Sequence, residues 1–296
     1  MRRKHLTRLI ACSMLALLPL GSARAAISVV DDTKRTVTLP APAHRIVSLA
    51  PHVTELLFAA GAGRYVVGVS EFSDYPAEAR RIPSVGSGLS LDMERIIQLK
   101  PDLIVGWNNG NAAPQLARLE QLGIPVFKSE PYDFAAIARS MESLAHLAGT
   151  DATGEAAANA FRTRLKHLRE TYQQRRSITV FYQIWRSPLM TLNGMHMVSS
   201  AIRQCGGINI FASLPQLAPT VSVEAVLKAD PEAIVASSGE QDDVFSPWRR
   251  FPKLKAVARG NLILVDGTLM NRSGPRILDG MEMLCKELDA ARSRRP

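Results

Sequence analysis

Aromatic and amide side chains recur in five short segments that fall at the predicted ends of strands. The segments are Ala50–His52, Phe72–Tyr75, Trp107–Asn111, Trp185–Arg186 and Thr268–Arg272. Flat apolar faces with a few fixed hydrogen-bonding groups suit a large, planar, partly polar ligand, so we predict a binding cleft. Taken alone, any one of these aromatics is equally consistent with a packing residue. The predicted ligand contacts are Pro51, His52, Phe72, Tyr75, Trp107, Asn108, Trp185, Arg186, Met270 and Arg272.

Catalytic motifs are absent from the sequence. There is no G-x-S-x-G setting around Ser48 or Ser70, and no P-loop, G-x-G-x-x-G stretch or H-E-x-x-H pair. We therefore predict that the protein is not an enzyme and has no catalytic residue, no metal site and no cofactor. The histidines after residue 25 lack zinc-site spacing and are scattered at His44, His52, His146, His167 and His196.

His52 allows two interpretations. It directly follows the first predicted strand, where it could ligate a metal centre carried inside a ligand. The alternative is an ordinary polar histidine whose hydrogen bonds are satisfied within the protein.

An internal repeat organises the chain. Residues Ser90–Val105 are matched position for position by Thr220–Val235 in the second half of the sequence. In both copies a capping residue, Asp92 or Ser222, precedes a short amphipathic helix, and a proline-containing turn then leads into an apolar strand. Because the two copies are too far apart for a solenoid repeat, they indicate two similar α/β domains that face each other.

Each copy of the repeat carries a glutamate early in its helix, Glu94 or Glu224. A carboxylate in the first turn is stabilised by the helix dipole, typically by about 0.3–1 kcal/mol, and this alone is sufficient reason for both. The functional interpretation is that the two lobes present a pair of anionic contacts to basic sockets on a two-fold symmetric partner.

Strands that alternate with helices predict parallel sheets, which bind ligands beyond the carboxyl ends of their strands. We predict an N-terminal α/β lobe over residues 26–148, a connecting helix in 149–176 and a C-terminal α/β lobe over 177–296. The helical period places the connecting helix over Asp151–Arg176. A shorter helix is predicted over Thr54–Ala60.

Residues 1–25 have the pattern of a secretory signal peptide. A basic head containing Arg2 and Lys4 precedes the apolar run Leu9–Leu20, which is too short to span a bilayer comfortably. A small-x-small cleavage site follows at Ala23–Ala25. We therefore predict that residues 1–25 are removed and that the mature protein is soluble outside the cytoplasm.

The positive charge of the chain is concentrated in that leader. Removing its five basic residues from the formal net charge of +9 leaves +4. No basic run interleaved with aromatics remains, so no nucleic-acid partner is predicted.

Export also affects the interpretation of the cysteines. With Cys12 removed, Cys205 and Cys285 remain. An even pair in an oxidising compartment favours a disulfide, and the alternative is two buried reduced thiols.

Four stretches together resemble the periplasmic vitamin B12-binding protein family, within the wider group of cobalamin and iron-siderophore binding proteins of ABC importers. The resemblance extends from about Arg45 to Cys285. The stretches are Arg45–Glu55, Gly68–Pro76, Glu94–Ile96 with Lys100–Val105, and Cys205–Phe211.

The resemblance implies two Rossmann-like lobes joined by a rigid helix, with a corrinoid held between them. It also implies that Glu94 and Glu224 dock on arginines of a permease and that Cys205 is bridged to Cys285. Trp107 matches a ligand-contacting position of the family.

Several cleft positions depart from the family pattern. Phe72 stands where the best-known member has a tyrosine. Two further cleft tryptophans and an aspartate of that member align with Gly88, Ala218 and Thr268. Trp185 could supply the lost stacking surface from the other lobe.

Our leading hypothesis is a monomeric periplasmic substrate-binding protein. It would capture cobalamin or a related corrinoid and deliver it to an ABC importer, a permease dimer with its ATPase. One alternative is a haem or ferric-siderophore binder of the same fold, which would use His52, Tyr75, Arg186 or Arg272. Another is an exported enzyme or metal-handling protein that acts on a tetrapyrrole.

Overall fold

The computed structural model describes residues 26–238 and 243–296. Within them the chain forms two α/β lobes, each built on a four-stranded parallel sheet, as predicted. The predicted signal peptide, residues 1–25, lies outside the described residues. The predicted lobe boundaries at residues 148 and 176 stay a prediction.

An antiparallel hairpin that the sequence analysis did not predict precedes the first lobe. It consists of β1 (Ile27–Val30) and β2 (Thr36–Leu39). The turn is held by Asp31, whose Oδ1 accepts hydrogen bonds from the backbone N–H groups of Thr33 and Arg35 at 2.9 Å. Val37 and Leu39 bury their side chains in the core of the lobe.

The N-terminal sheet buries apolar strands on both faces. Leu103 and Val105 pack into one hydrophobic cluster and the intervening Ile104 into another, as expected for a central strand covered on both sides. Its strands, in the order β4-β3-β5-β6, are β3 (Ile46–Ser48), β4 (Val66–Val69), β5 (Leu103–Trp107) and β6 (Val126–Ser129). Its helices are α1 (Pro51–Ala59), α2 (Met93–Gln98), α3 (Ala113–Gln121) and α4 (Phe134–Ala148), with 3₁₀ turns at Gly63–Tyr65 and Ala77–Arg81.

One long helix, α5 (Asp151–Tyr172), connects the lobes. It packs closely on α4, where Gly154 lies so near Ala145 that a larger side chain would collide. Toward the second lobe, the Arg164 guanidinium donates to Asp279 Oδ1 at 2.5 Å and to Glu282 Oε2 at 2.8 Å. The helix therefore contacts both lobes along its length.

The C-terminal sheet is also parallel, in the order β10-β9-β7-β8. Its strands are β7 (Ile178–Gln183), β8 (Gly207–Asn209), β9 (Ala233–Ser238) and β10 (Leu262–Asp266). Its helices are α6 (Met197–Gln204), α7 (Val223–Ala229), α8 (Ser246–Arg249), α9 (Lys255–Ala258), α10 (Gly267–Met270) and α11 (Ile277–Ser293).

The predicted disulfide is present. Cys205 and Cys285 are bridged, with Cα atoms 4.8 Å apart. The bridge joins the C-terminal end of α6 to α11 in the buried core of the second lobe.

The internal repeat is confirmed in three dimensions. Asp92 Oδ1 accepts from the backbone N–H of Arg95 at the start of α2, and Ser222 Oγ accepts from Ala225 N–H at the start of α7. The two copies also share a backbone conformation. The residue that precedes the proline of each turn is left-handed. Its φ is 47° at Lys100 and 44° at Asp230.

Three predicted element boundaries are wrong. α1 starts at Pro51, before the predicted Thr54, because the fixed φ of proline suits the first helical turn. The connecting helix ends at Tyr172, short of Arg176. Part of the segment Thr268–Arg272, which was treated as a loop, is helix α10, and Asp266 caps it by accepting from Thr268 N–H at 2.7 Å.

Candidate ligand-binding site

A cavity of about 330 Å³ opens between the two lobes. Its walls come from the carboxyl ends of strands and the first turns of the following helices, where a parallel sheet presents its binding edge. The N-terminal lobe contributes Pro51, His52, Trp107, Asn109 and Glu130. The C-terminal lobe contributes His196, Met197, Leu217, Met270, Asn271 and Arg272, among others.

Half of the ten predicted contact residues line this cavity. They are Pro51, His52, Trp107, Met270 and Arg272. Met270 is only 1% exposed, so most of its side chain belongs to the hydrophobic core. The remaining five, Phe72, Tyr75, Asn108, Trp185 and Arg186, lie outside the cavity lining, and their contact with a ligand stays a prediction.

The aromatics outside the cavity lie on neighbouring surfaces. Phe72 is 77% exposed and lines a separate depression beside β4. Tyr75 lines a second depression, where the Arg276 guanidinium covers its ring at 4.0 Å. Trp185 is half exposed, and its indole N–H donates to the Ser187 carbonyl at 2.8 Å.

Trp107 is the aromatic wall of the cavity. It is the last residue of β5, and its indole packs directly on Gly110, where a Cβ would overlap the ring. Its backbone N–H donates to Asn111 Oδ1 at 2.6 Å, and Asn111 in turn donates to the carbonyls of Leu49 and Gly88. The ring is therefore fixed by its turn, with 38% of the residue exposed.

His52 lies in the first turn of α1 with 5% of its surface exposed. Its ring meets that of Trp107 edge to face, with centroids 5.4 Å apart. Among the described residues its Nε2 is buried without a hydrogen-bond partner, so no protein group satisfies this nitrogen. Burial, together with the charge of Arg272, lowers the pKa of His52 to about 4, so the imidazole is neutral at pH 7.

A four-residue ion-pair cluster joins the two lobes beside the cavity, and Arg272 is its one member in the cavity lining. Glu55 of α1 is 3% exposed, and its carboxylate accepts from Arg272 at 3.2 Å and from Arg276 at 2.6 and 3.0 Å. Asp74 Oδ1 accepts from Arg272 at 2.7 Å. The hydrogen bond with Glu55 raises the pKa of Arg276 above its usual value. We call Glu55, Asp74, Arg272 and Arg276 the inter-lobe cluster.

Glu55 and Arg276 were not among the site residues predicted from the sequence. The available signal was a glutamate on a helix between residues that become buried, Val53 and Leu56. A charge in such surroundings needs a partner. The partners come from the opposite end of the chain, so the sequence pattern could not name them.

The remaining polar residues in the cavity lining include no further arginine and no lysine. Burial lowers the pKa of His196, and its Nδ1 accepts from the backbone N–H of Val198 at the start of α6. Glu130 accepts from Asn109 N–H at 3.0 Å. In residues 26–238 and 243–296 no group of three or more His, Cys, Asp or Glu residues is arranged to hold a metal ion. Over the same ranges, no helix has the length and apolar character needed to cross a bilayer.

The two glutamates of the repeat are exposed, one on each lobe. Helices that return between parallel strands begin at the edge where strands end, so Glu94 and Glu224 lie on the edges that carry the cleft. Glu94 accepts from Gln98 Nε2 at 3.2 Å. Hydrogen bonds from its own backbone N–H and from Ser222 lower the pKa of Glu224.

Comparisons with known proteins agree with this architecture. A family model described as periplasmic binding protein matches residues 46–269. The vitamin B12-binding protein of Vibrio cholerae serotype O1 is 37% identical over 286 residues, which cover 96% of this chain and 98% of that protein.

Two solved structures are similar to this chain over both lobes. The periplasmic vitamin B12-binding protein BtuF of Vibrio cholerae matches with a TM-score of 0.76 and 38% identity, over 85% of this chain and 98% of that chain. A periplasmic haem-binding protein from Pseudomonas aeruginosa matches with a TM-score of 0.70 and 26% identity, over 82% and 91% of the two chains.

Proposed function

The chain belongs to the periplasmic binding protein family, and from that premise we propose that it captures cobalamin or a related corrinoid and delivers it to an ABC importer. The observation that carries the proposal is the cleft between two parallel-sheet lobes, walled by Trp107 and by the neutral imidazole of His52. The high coverage of the matches to vitamin B12-binding proteins supports it, because both lobes and the cleft between them are included.

Because the cavity is small, a large ligand bound there would extend beyond it. About 330 Å³ is at the lower end of the range for small-molecule pockets, about 300–1,000 Å³. A corrin ring seated on Trp107 would therefore reach the surfaces outside the cavity. On this proposal Phe72, Asn108, Trp185 and Arg186 contact the outer part of the ligand.

A haem or ferric-siderophore ligand has less support. Of the residues that such a binder would use, Arg272 is already paired with two carboxylates and Tyr75 lies under Arg276. The Nε2 of His52 is buried. Arg186 is exposed and makes no ion pair among the described residues.

The cellular role follows from the same proposal. The family and the matched relatives are binding proteins, and we infer that this protein is likewise not an enzyme. Residues 1–25 would direct export and be cleaved, so the mature protein would act in the periplasm. It would act there as a monomer.

Titration of the purified mature protein with cyanocobalamin, followed by heat release, tests the ligand. We expect saturable one-to-one binding in or below the micromolar range, with haemin and a ferric hydroxamate much weaker. Trp107→Ala should weaken cobalamin binding by about tenfold or more, because it removes the stacking wall. The control is Leu122→Ala, an exposed apolar residue at the end of α3 on the opposite edge of the sheet. Binding of haemin alone would contradict the proposal.

The docking role of Glu94 and Glu224 is tested separately. In the double variant Glu94→Ala/Glu224→Ala, cobalamin binding should be unchanged, while transport by the reconstituted importer should fall by about tenfold or more. The matched control is Glu155→Ala/Glu170→Ala, which removes two exposed carboxylates from α5. Unchanged transport in the first double variant would contradict the docking role.

A further inference from the structure

Arg272 brings a permanent positive charge to the cavity wall, and two carboxylates compensate it. Its guanidinium donates to Glu55 at 3.2 Å and to Asp74 at 2.7 Å, and it also donates to the Phe72 carbonyl at 3.1 Å. Arg276 directs its own guanidinium to the same Glu55. The inter-lobe cluster therefore contains two cations and two anions, with no net charge.

The Asp74 carboxylate of the cluster is ionised at neutral pH. Partial burial raises the pKa of Asp74, but the hydrogen bond and the charge of Arg272 outweigh it and bring the value below its usual range. Two further acids, Glu78 and Asp279, line the depression beside Arg276. Arg276 therefore shares its depression with further carboxylates.

The remaining groups in the cavity lining add no positive charge. His52 and His196 are held neutral by burial, and Glu130 adds a carboxylate on the opposite wall. Arg186 is exposed and outside the lining. A ligand carboxylate that enters the cavity would therefore lose its hydration without meeting an available cation in the lining.

We propose that Glu55 and Asp74 are specificity-determining residues, which neutralise Arg272 and Arg276 so that the cleft accepts a macrocycle bearing carboxamides and rejects one bearing carboxylates. The inference rests on the proposed function and names the chemical feature that the cleft selects. A corrinoid carries neutral carboxamides around its ring, whereas haem carries two propionates. Specificity of this kind comes from the penalty imposed on the wrong ligand.

The test uses one corrin ring in two chemical forms, dicyanocobinamide and the same corrinoid with its amides hydrolysed to carboxylates. Affinities for both are measured in the wild type and in Asp74→Asn, which changes a half-exposed side chain and leaves a net charge of +1 in the cluster. We expect the wild type to prefer the amide form by about tenfold or more, and this ratio to fall about fivefold to tenfold in the variant.

Two further variants separate charge from structural damage. Glu55→Gln keeps the shape of the side chain and should also lower the ratio, whereas Arg276→Gln leaves a net charge of −1 and should keep or increase it. An equal ratio in the wild type, Asp74→Asn and Arg276→Gln would overturn the proposal even if cobinamide binds tightly.

Failure of the proposed function gives a different pattern. If the wild type binds neither corrinoid, that function fails, and haemin becomes the carboxylate probe. Tighter haemin binding in Asp74→Asn and Glu55→Gln than in the wild type would then support the neutralising role. Haemin affinity that is unchanged across the variants, or absent from all of them, would overturn it.

Discussion

At the residue scale, the buried imidazole of His52 makes the stability of the protein depend on pH. Its pKa is about 4 in the folded protein against an ordinary value of 6.5, so the unfolded chain binds the proton more readily. The stabilisation is fully present above pH 6.5 and is lost as the pH falls toward 4. The difference between the two pKa values corresponds to about 3 kcal/mol of unfolding free energy.

His52→Gln should remove this part of the pH dependence. Urea unfolding at pH 7 and at pH 4.5 should show a smaller loss of unfolding free energy for the variant than for the wild type, by about 2–3 kcal/mol. His167→Gln, a change to an exposed histidine of α5, should retain the wild-type dependence. Identical pH profiles for His52→Gln and the wild type would contradict the burial argument.

At the element scale, the two copies of the repeat share a strained backbone position but differ in what holds it. Lys100 is exposed, with φ of 47°, and its side chain makes no hydrogen bond among the described residues. Asp230 has φ of 44°, and its carboxylate accepts from the backbone N–H of Lys255 at 2.9 Å and forms an ion pair with the Lys255 ammonium at 3.0 Å. The two positions therefore have the same backbone conformation and differ in their side-chain contacts.

Glycine should stabilise the protein at the first of these positions and not at the second. Lys100→Gly relieves the left-handed strain and should raise the unfolding free energy by up to about 1 kcal/mol. Asp230→Gly relieves similar strain but removes both contacts with Lys255, so it should be neutral or destabilising by about 1 kcal/mol. Urea denaturation curves of the two variants make the comparison, and a stabilising Asp230→Gly would contradict it.

At the scale of the whole molecule, the disulfide constrains the second lobe. Cys205 and Cys285 are 80 residues apart in sequence, so the bridge restricts a long segment of the unfolded chain. Both residues are buried in the core and neither lines the cavity. The bridge should therefore affect stability and leave ligand binding intact.

Cys205→Ala/Cys285→Ala should lower the unfolding free energy by about 2–4 kcal/mol. Cobalamin affinity at 25 °C should change by less than about threefold. Unfolding of the reduced wild type provides the control, because it should have nearly the same denaturation midpoint as the variant. A large loss of affinity in a variant that is still folded would show that the bridge shapes the cleft.

The sequence by itself determined the features that depend on near neighbours in the chain. Apolar periodicity set the parallel sheets, and Asp92 and Ser222 start their helices through hydrogen bonds to residues three positions away. The position of Trp107 at the end of a buried strand was predictable for the same reason. The short hairpin β1–β2 was not predicted, because its burial depends on packing against α4.

Tertiary structure alone decided which residues share the cleft. Glu55 meets Arg272 and Arg276 only because the two lobes pack against each other, and no local pattern encodes a contact between opposite ends of the chain. The same packing leaves Phe72 and Trp185 outside the cavity, although their strand ends were predicted correctly. Alternation of strands and helices fixes the edge of a sheet at which a side chain lies, but its direction depends on the turn that carries it and on the opposing lobe.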